Sequence, residues 1–345
     1  MIGNLFTRLT ATAVAFGMAT PAQAADPGPT VTAIKERGTL LCTGHNGSYL
    51  GFAEVDDQGE WTGFDIEFCK ALATTILGSP DALQIIPVSW AQRFPALQSG
   101  DIDVIIKVTG WTQSRDTELG LQYGRTYFIG PTNVLVRSDL GAESTADLEG
   151  GVFCINAGTS IERIVADYMG ARGISYEALN FEKGEELRAA LYAGRCDALA
   201  GFGPFLAATR FNAPNAEDFT ILDEVLALEP EGIAAREGDD GFIDIINWMV
   251  SALLMAEQNG ITMANVDEIR ANPPSASIER LLGVSPGVGE RLGLSDDWAY
   301  NMIKAVGNYG EIYDRTVGEN SPYKLPRGKN HLWTNGGMLY PLVLD

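Results

Sequence analysis

Histidine is almost missing from this chain: His45 and His331 are the only two in 345 residues. A zinc cluster built on imidazole would have to gather ligands from far apart in the sequence. The four cysteines form no C-x-x-C pair that could replace them, so neither a metal site nor a cofactor is expected. Basic residues are scarce as well. Against 45 Asp and Glu stand 24 Lys and Arg, a net charge of −21, which argues against long-range attraction for nucleic acid or an anionic membrane. Beyond Thr30 no apolar run approaches the roughly 20 residues that a membrane-spanning helix needs. G-x-S-x-G, G-x-x-x-x-G-K-[ST] and H-E-x-x-H are absent, and "GFGPFLAA" and "GVGERLG" do not complete a G-x-G-x-x-G. No enzyme activity is therefore expected.

What is present is apolar material in plenty. A hydrophobic content of 46% over this length is enough for a full core and two domains of ordinary size. The opening "MIGNLFTRLTATAVAFGMATPAQA" combines one Arg, an apolar stretch and the small-residue site "AQA", the layout of a secretory signal peptide over residues 1–24, cleaved after Ala24. A short anchor helix is the competing reading, but the stretch is short and rich in Ala and Thr. The mature chain is then expected outside the cytoplasm, where disulfides persist. Cys42, Cys69, Cys154 and Cys196 allow three pairings.

Two segments are alike: "ALQSGDIDVII" from Ala96 and "ALYAGRCDALA" from Ala190 share Ala-Leu-x-x-Gly-x-x-Asp. Each reads as a helix end, a Gly that stops it and a buried strand opening at Asp103 or Asp197. Upstream of each lies a further strand and helix, "GTLLCTG" with "FDIEFCKALATTIL" and "GVFCINAG" with "SIERIVADYMGARG". Strands alternating with amphipathic helices predict an α/β chain of two lobes, with parallel-dominated sheets covered on both faces. The two halves suggest Cys42 with Cys69 and Cys154 with Cys196. "TYFIGPTNVLVRSD" and "LDEVLALEPEGIAAREGDD" read as extended crossings, so the chain enters the second lobe and returns. Residues 25–133 with 232–345 would form lobe 1 and residues 134–231 lobe 2. After the return, "FIDIINWMVSALLMAEQNG" reads as one helix, and Ser295 as the N-cap of another.

In open α/β sheets ligands collect at the carboxyl ends of strands. Three segments should therefore face the cleft: the loop after "DVII", the turn "NAGTS" and "GFGPF". In the first, the planar fork of Arg115 suits a carboxylate, with hydroxyls such as Thr109 nearby; the competing reading is a surface Arg paired with Asp116 or Glu118. In the second, Thr159 reads as an N-cap with Glu162 completing a capping box, and the helix start suits an anion. Tyr49 and Phe52 offer an apolar wall or simple core packing. His45 and Asn46 are weaker candidates.

Taken together, "GEWTGFDIEFCKALA", "AQRFPALQSGDIDVI", "WTQSRDTELGL", "CINAGTS", "AGRCDAL", "DWAYNMIKAVGNYGEIYDR" and "RGKNHLWTNGGMLYP" resemble the periplasmic substrate-binding proteins of polar amino-acid ABC transporters, in the general L-amino-acid branch. The resemblance covers nearly the whole mature chain. It implies a type II periplasmic binding protein that closes two lobes on one small solute and delivers it to a membrane permease. It further implies that Arg115 binds the ligand carboxylate, that Thr159 and Ser160 assist, and that Tyr49 and Phe52 line the side-chain pocket. The four cysteines fall where that branch also has them. Three positions depart from the pattern: Gly110 replaces a hydroxyl residue, Val108 an Asn, and Phe202 the acid that receives the ligand's α-ammonium. Asp197, as strand opener, does not supply that role. The expected ligand is a small carboxylate whose amino group is altered, missing or differently held. An enzyme on the same fold, such as a periplasmic dehydratase resembling the cyclohexadienyl type, and an accessory protein with a degenerate cleft are the alternatives.

Overall fold

The structure, a computed structural model, describes residues 26–345. The expected signal peptide lies outside the described residues. The first half of the fold is built on the strand Leu40–His45, buried along nearly all its length and paired in parallel with Leu83–Val88. A parallel bridge from Cys42 to Val104 joins it to the strand Ile105–Gly110. The helix Phe64–Leu77 packs against this layer. Its apolar side chains are buried almost throughout, because a second helix, Trp298–Val306, covers its other side.

The second half repeats the plan. Val152–Asn156 pairs in parallel with Glu177–Phe181 on one side and with Ala198–Phe202 on the other. The helices Ile161–Gly170 and Gly184–Tyr192 pack against it. One disulfide holds each half, Cys42 to Cys69 and Cys154 to Cys196.

Two long strands run between the halves. The first crossing strand, Leu121–Arg137, pairs antiparallel with the second, Ala227–Arg236, along most of its length, and its far end pairs antiparallel with Ala198–Phe202. The second crossing strand also pairs with Ile105–Gly110, matching Glu231 to Gly110 and Gly232 to Thr109. These pairings explain a difference from the expected loop after "DVII". The strand continues through Val108, Thr109 and Gly110 because a crossing strand lies beside it to take its hydrogen bonds. The crossings are antiparallel because each leaves one half in the direction by which the other returns.

Asp240–Gln258 is one helix, as its periodicity predicts, capped by Asp239, which accepts from the Phe242 amide. Ser295 is not the cap of the later helix, which begins at Trp298 behind Asp297. The C-terminal tail is tied to the crossing region. Asn330, buried, accepts from the Ile129 amide at 2.7 Å and donates to its carbonyl at 3.1 Å, as a neighbouring strand would. Among the described residues no helix is long and apolar enough to cross a membrane.

Candidate functional site

The carboxyl ends of the strands in both halves converge on a cavity of about 30 Å³. Tyr49, Trp90, Arg93, Val108, Gly110 and Arg115 line it from the first half. Asn156, Thr159, Ser160, Ile161, Gly201 and Phe202 line it from the second, and Glu229 and Glu231 from the second crossing strand. The halves touch around its rim. Tyr49 stacks on Phe205 with centroids 4.5 Å apart, and the Ser48 amide donates to Glu185 at 3.2 Å. The turn at Gly158 (φ +72°) approaches Ala91 so closely that a Cβ there would lie 3.2 Å from the Ala91 amide nitrogen.

Arg115 sits in the short helix Gln113–Glu118 that follows Gly110, with Thr112 accepting from its amide. Its guanidinium donates to the Gly110 carbonyl at 2.8 Å. It is buried, lines the cavity and, among the described residues, makes no ion pair with Asp116, Glu118 or any other acid within 4.0 Å. Arg93 lies beside it, nearly fully buried, over the Phe94 ring at 4.1 Å, and donates to the carbonyls of Trp90 and Gly158, the latter at 3.3 Å. Two guanidiniums on this side of the chamber offer planar donor sets that suit a carboxylate.

Opposite them is the start of the helix Ile161–Gly170. Here the capping reading changes: the N-cap is Ser160, not Thr159. The Thr159 hydroxyl donates to the Asn156 carbonyl at 2.8 Å, and Glu162 accepts from the Gly158 amide at 2.9 Å. The Ser160 hydroxyl donates to Glu229 on the second crossing strand at 3.0 Å. Of the other expected site residues, Tyr49, Gly110 and Phe202 line the cavity. Thr109 and Phe52 are fully buried behind it, Thr109 donating to the Lys107 carbonyl at 2.9 Å and Phe52 packed edge-on to Phe202 at 5.2 Å.

Val108 reaches the cavity with its backbone in the left-handed region, at φ +28°, which a β-branched residue adopts only under constraint. The constraint is visible: its amide donates to the Tyr127 hydroxyl at 2.8 Å, which itself donates to the buried Asp65 at 2.7 Å. Burial pushes the Asp65 carboxyl up to about 7, against the pull of the Tyr127 hydrogen bond and the Lys107 charge. His45, stacked on Tyr49 and 3.8 Å from Asp65, is held well below its ordinary value by burial and the Lys107 charge.

The chain matches the model of the bacterial extracellular solute-binding proteins, family 3, over residues 41–261. It is 42% identical over 313 residues to the general L-amino acid-binding periplasmic protein AapJ of Rhizobium johnstonii, covering 90% of this chain and 91% of that one. This chain belongs to family 3 of the extracellular solute-binding proteins. The glutamate/glutamine/aspartate/asparagine-binding protein BztA of Rhodobacter capsulatus is 38% identical to it, with 90% of this chain and 92% of that one covered. A periplasmic binding protein of Brucella ovis, solved with glutathione bound, superposes with a TM-score of 0.87 at 41% identity, covering 91% of this chain and 98% of that one. The architecture is the type II periplasmic binding fold, as the resemblance implied.

For this solute-binding protein the main surprise is the pair of acids. Glu229 and Glu231 were not singled out in the sequence, where "EPEG" reads as part of a crossing strand. Residues two apart share one face of a strand, so two glutamates flanking a proline were the available signal. Burial pushes the Glu229 carboxyl up, while the Ser160 hydrogen bond and the Arg115 charge pull it down. Burial and the Glu229 charge push Glu231 well above the ordinary carboxylate range.

Proposed function

We propose that this protein is the periplasmic receptor of an amino-acid ABC transporter, capturing a small carboxylate-bearing solute, an amino acid or a derivative, and presenting it to an inner-membrane permease. The lobes are residues 25–133 with 232–345, and residues 134–231. Arg115 clamps the ligand carboxylate from the first lobe, while Thr159 and Ser160 at the helix start approach it from the second. Gly110 leaves the clamp open, Tyr49 and Phe202 wall the chamber, and Thr109 and Phe52 back them. One observation carries the reading: a buried Arg115, without an acidic partner among the described residues, faces a helix N-terminus of the other lobe across a small cavity. The names of the relatives, general amino acids for one and glutamate, glutamine, aspartate and asparagine for another, support an amino acid as the solute class.

The protein acts by binding rather than turnover on this reading, with periplasmic delivery by the signal peptide. The test is a thermal-shift panel of the mature chain against the twenty L-amino acids and glutathione. A true ligand at ~100 times its dissociation constant stabilises by about 2.7 kcal/mol. Arg115→Met should abolish that shift while leaving the far-ultraviolet circular dichroism unchanged, since a buried charge-assisted clamp is typically worth about 2–5 kcal/mol. A panel without any shift, or conversion of a panel member to product seen by NMR, would contradict the reading.

A further inference from the structure

We propose that Glu231, on the second crossing strand, receives the ligand's positively charged amino group, so that the cation seat lies on the hinge rather than at the end of the strand Ala198–Phe202. This rests on the reading of the cleft as an amino-acid site. Glu231 lines the cavity and is only 3% exposed. One of its carboxylate oxygens, Oε2, is buried with no hydrogen-bond partner. A buried carboxylate left in that condition is costly unless a cation or a proton joins it.

The surroundings make room for this acid. Gly130 lies opposite, on the first crossing strand. A Cβ there would fall on the Phe202 ring and 2.8 Å from Glu231 Oε1, so the missing side chain admits both. Gly110 does the same for Glu229, since a Cβ would lie 2.7 Å from Glu229 Oε1 and 3.4 Å from Arg115 Nη1. Phe202, Gly110 and Gly130 thus fit one arrangement, in which two acids enter from the crossing strand through space that two glycines leave.

Charge complementarity supports the same conclusion. Arg93 and Arg115 face Glu229 and Glu231 in one chamber, two basic and two acidic side chains. Among the described residues neither Arg115 nor Glu231 makes an ion pair within 4.0 Å. A chamber with an unpaired cation and an unpaired carboxyl group that can give up its proton to an arriving ammonium fits a zwitterion better than a simple acid. The free oxygen of Glu231 asks for an N–H donor, so the group is an ammonium that carries hydrogen and not a quaternary one. Phe202 then serves as an apolar wall beside the pair, removing water and strengthening it.

The experiment is calorimetry on the mature chain with the twenty L-amino acids, followed by the tightest binder's 2-hydroxy-acid and N-trimethyl counterparts. The wild type should prefer the amino acid over both analogues by about 100-fold or more. Glu231→Gln should lose at least about tenfold of that preference while holding the hydroxy acid as well as the wild type does. Equal weakening of both ligands by Glu231→Gln, or equal wild-type affinity for amino acid and hydroxy acid, would overturn the assignment. If amino acids bind, Arg115→Met abolishes binding and Glu231→Gln does not change it, the seat is wrong and the receptor reading stands. Binding of no amino acid overturns both. A second readout needs no variant: in buffers of different ionisation enthalpy, the amino acid should release a proton on binding and the hydroxy acid should not. The charges around Glu231 are Glu229, Arg115, Asp65 and Arg93, and they are the same for both ligands, so equal proton release would also overturn the proposal.

Discussion

Gly130 decides more than its size suggests. With Phe202 and Glu231 both packed over it, Gly130→Ala adds a methyl where there is no space. Overpacking of this kind typically costs about 1–3 kcal/mol. Chemical denaturation should show that loss, and Gly130→Ala with Phe202→Leu should recover part of it; full stability of the single variant would contradict the packing described. Asp65 gives a second prediction at this scale. Its folded value near 7 lies above that of the unfolded chain, so the fold favours the protonated form, and stability from this group is present at low pH and lost as pH rises through about 7. Relative to Asp65→Asn, the wild type should lose roughly 3 kcal/mol between pH 4 and pH 7 in urea titrations. Parallel curves for the two proteins would exclude it. The candidate site was legible in the sequence where a residue's role follows from local position. Arg115 lies at a fixed distance beyond a buried strand, so it could be named. Glu231 could not, because its burial depends on Phe202, Gly130 and a strand from the other end of the chain, and nothing local distinguishes it from a solvated glutamate.

The element scale is where sequence and structure agree most closely, and the two Ala-Leu-x-x-Gly-x-x-Asp segments show why. Asp103 accepts from the Leu41 amide at 2.8 Å and pairs with Arg37; Asp197 accepts from the Val152 amide at 2.9 Å and pairs with Arg137 at 3.7 Å. Each repeat places its Asp to hold an amide at the start of the neighbouring strand, the second in one lobe and the first in the other, so the letters encode a local device that recurs in both lobes. Asp197 is therefore structural. The helix start at Ser160 was one residue misplaced because Thr159 turns its hydroxyl back to Asn156, a choice between two local hydrogen bonds that letters do not fix. The tail was legible only as a resemblance; its contact with the crossing strand was not. Asn330→Ala should remove both bonds to Ile129 and leave a buried amide and carbonyl exposed to no partner, lowering stability by about 2 kcal/mol. Hydrogen exchange at Ile129 is the direct readout, and an unchanged rate in Asn330→Ala would show that the tail does not support the hinge.

At the scale of the whole molecule, each lobe carries its own covalent tie. The bridges close loops with sequence separations of 27 and 42 residues. Each should stabilise its lobe by roughly 3–4 kcal/mol through the lost freedom of the unfolded chain. Reductant should therefore lower the melting temperature of the mature protein, and a trace unchanged by reduction would contradict that. The chain as a whole is strongly acidic, while the buried Arg93 and Arg115 line the cleft beside Glu229 and Glu231. The charge pattern of the cleft, two basic and two acidic side chains, is thus set locally and not by the charge of the whole chain. The central claim is that two lobes close on a solute whose carboxylate is held by Arg115. A crystal structure of the complex with the tightest ligand of the amino-acid panel tests it most directly. The account predicts the ligand carboxylate within about 3 Å of the Arg115 guanidinium and the ligand nitrogen within about 3 Å of Glu231. A ligand bound outside this cavity, or with its carboxylate turned away from Arg115, would contradict it.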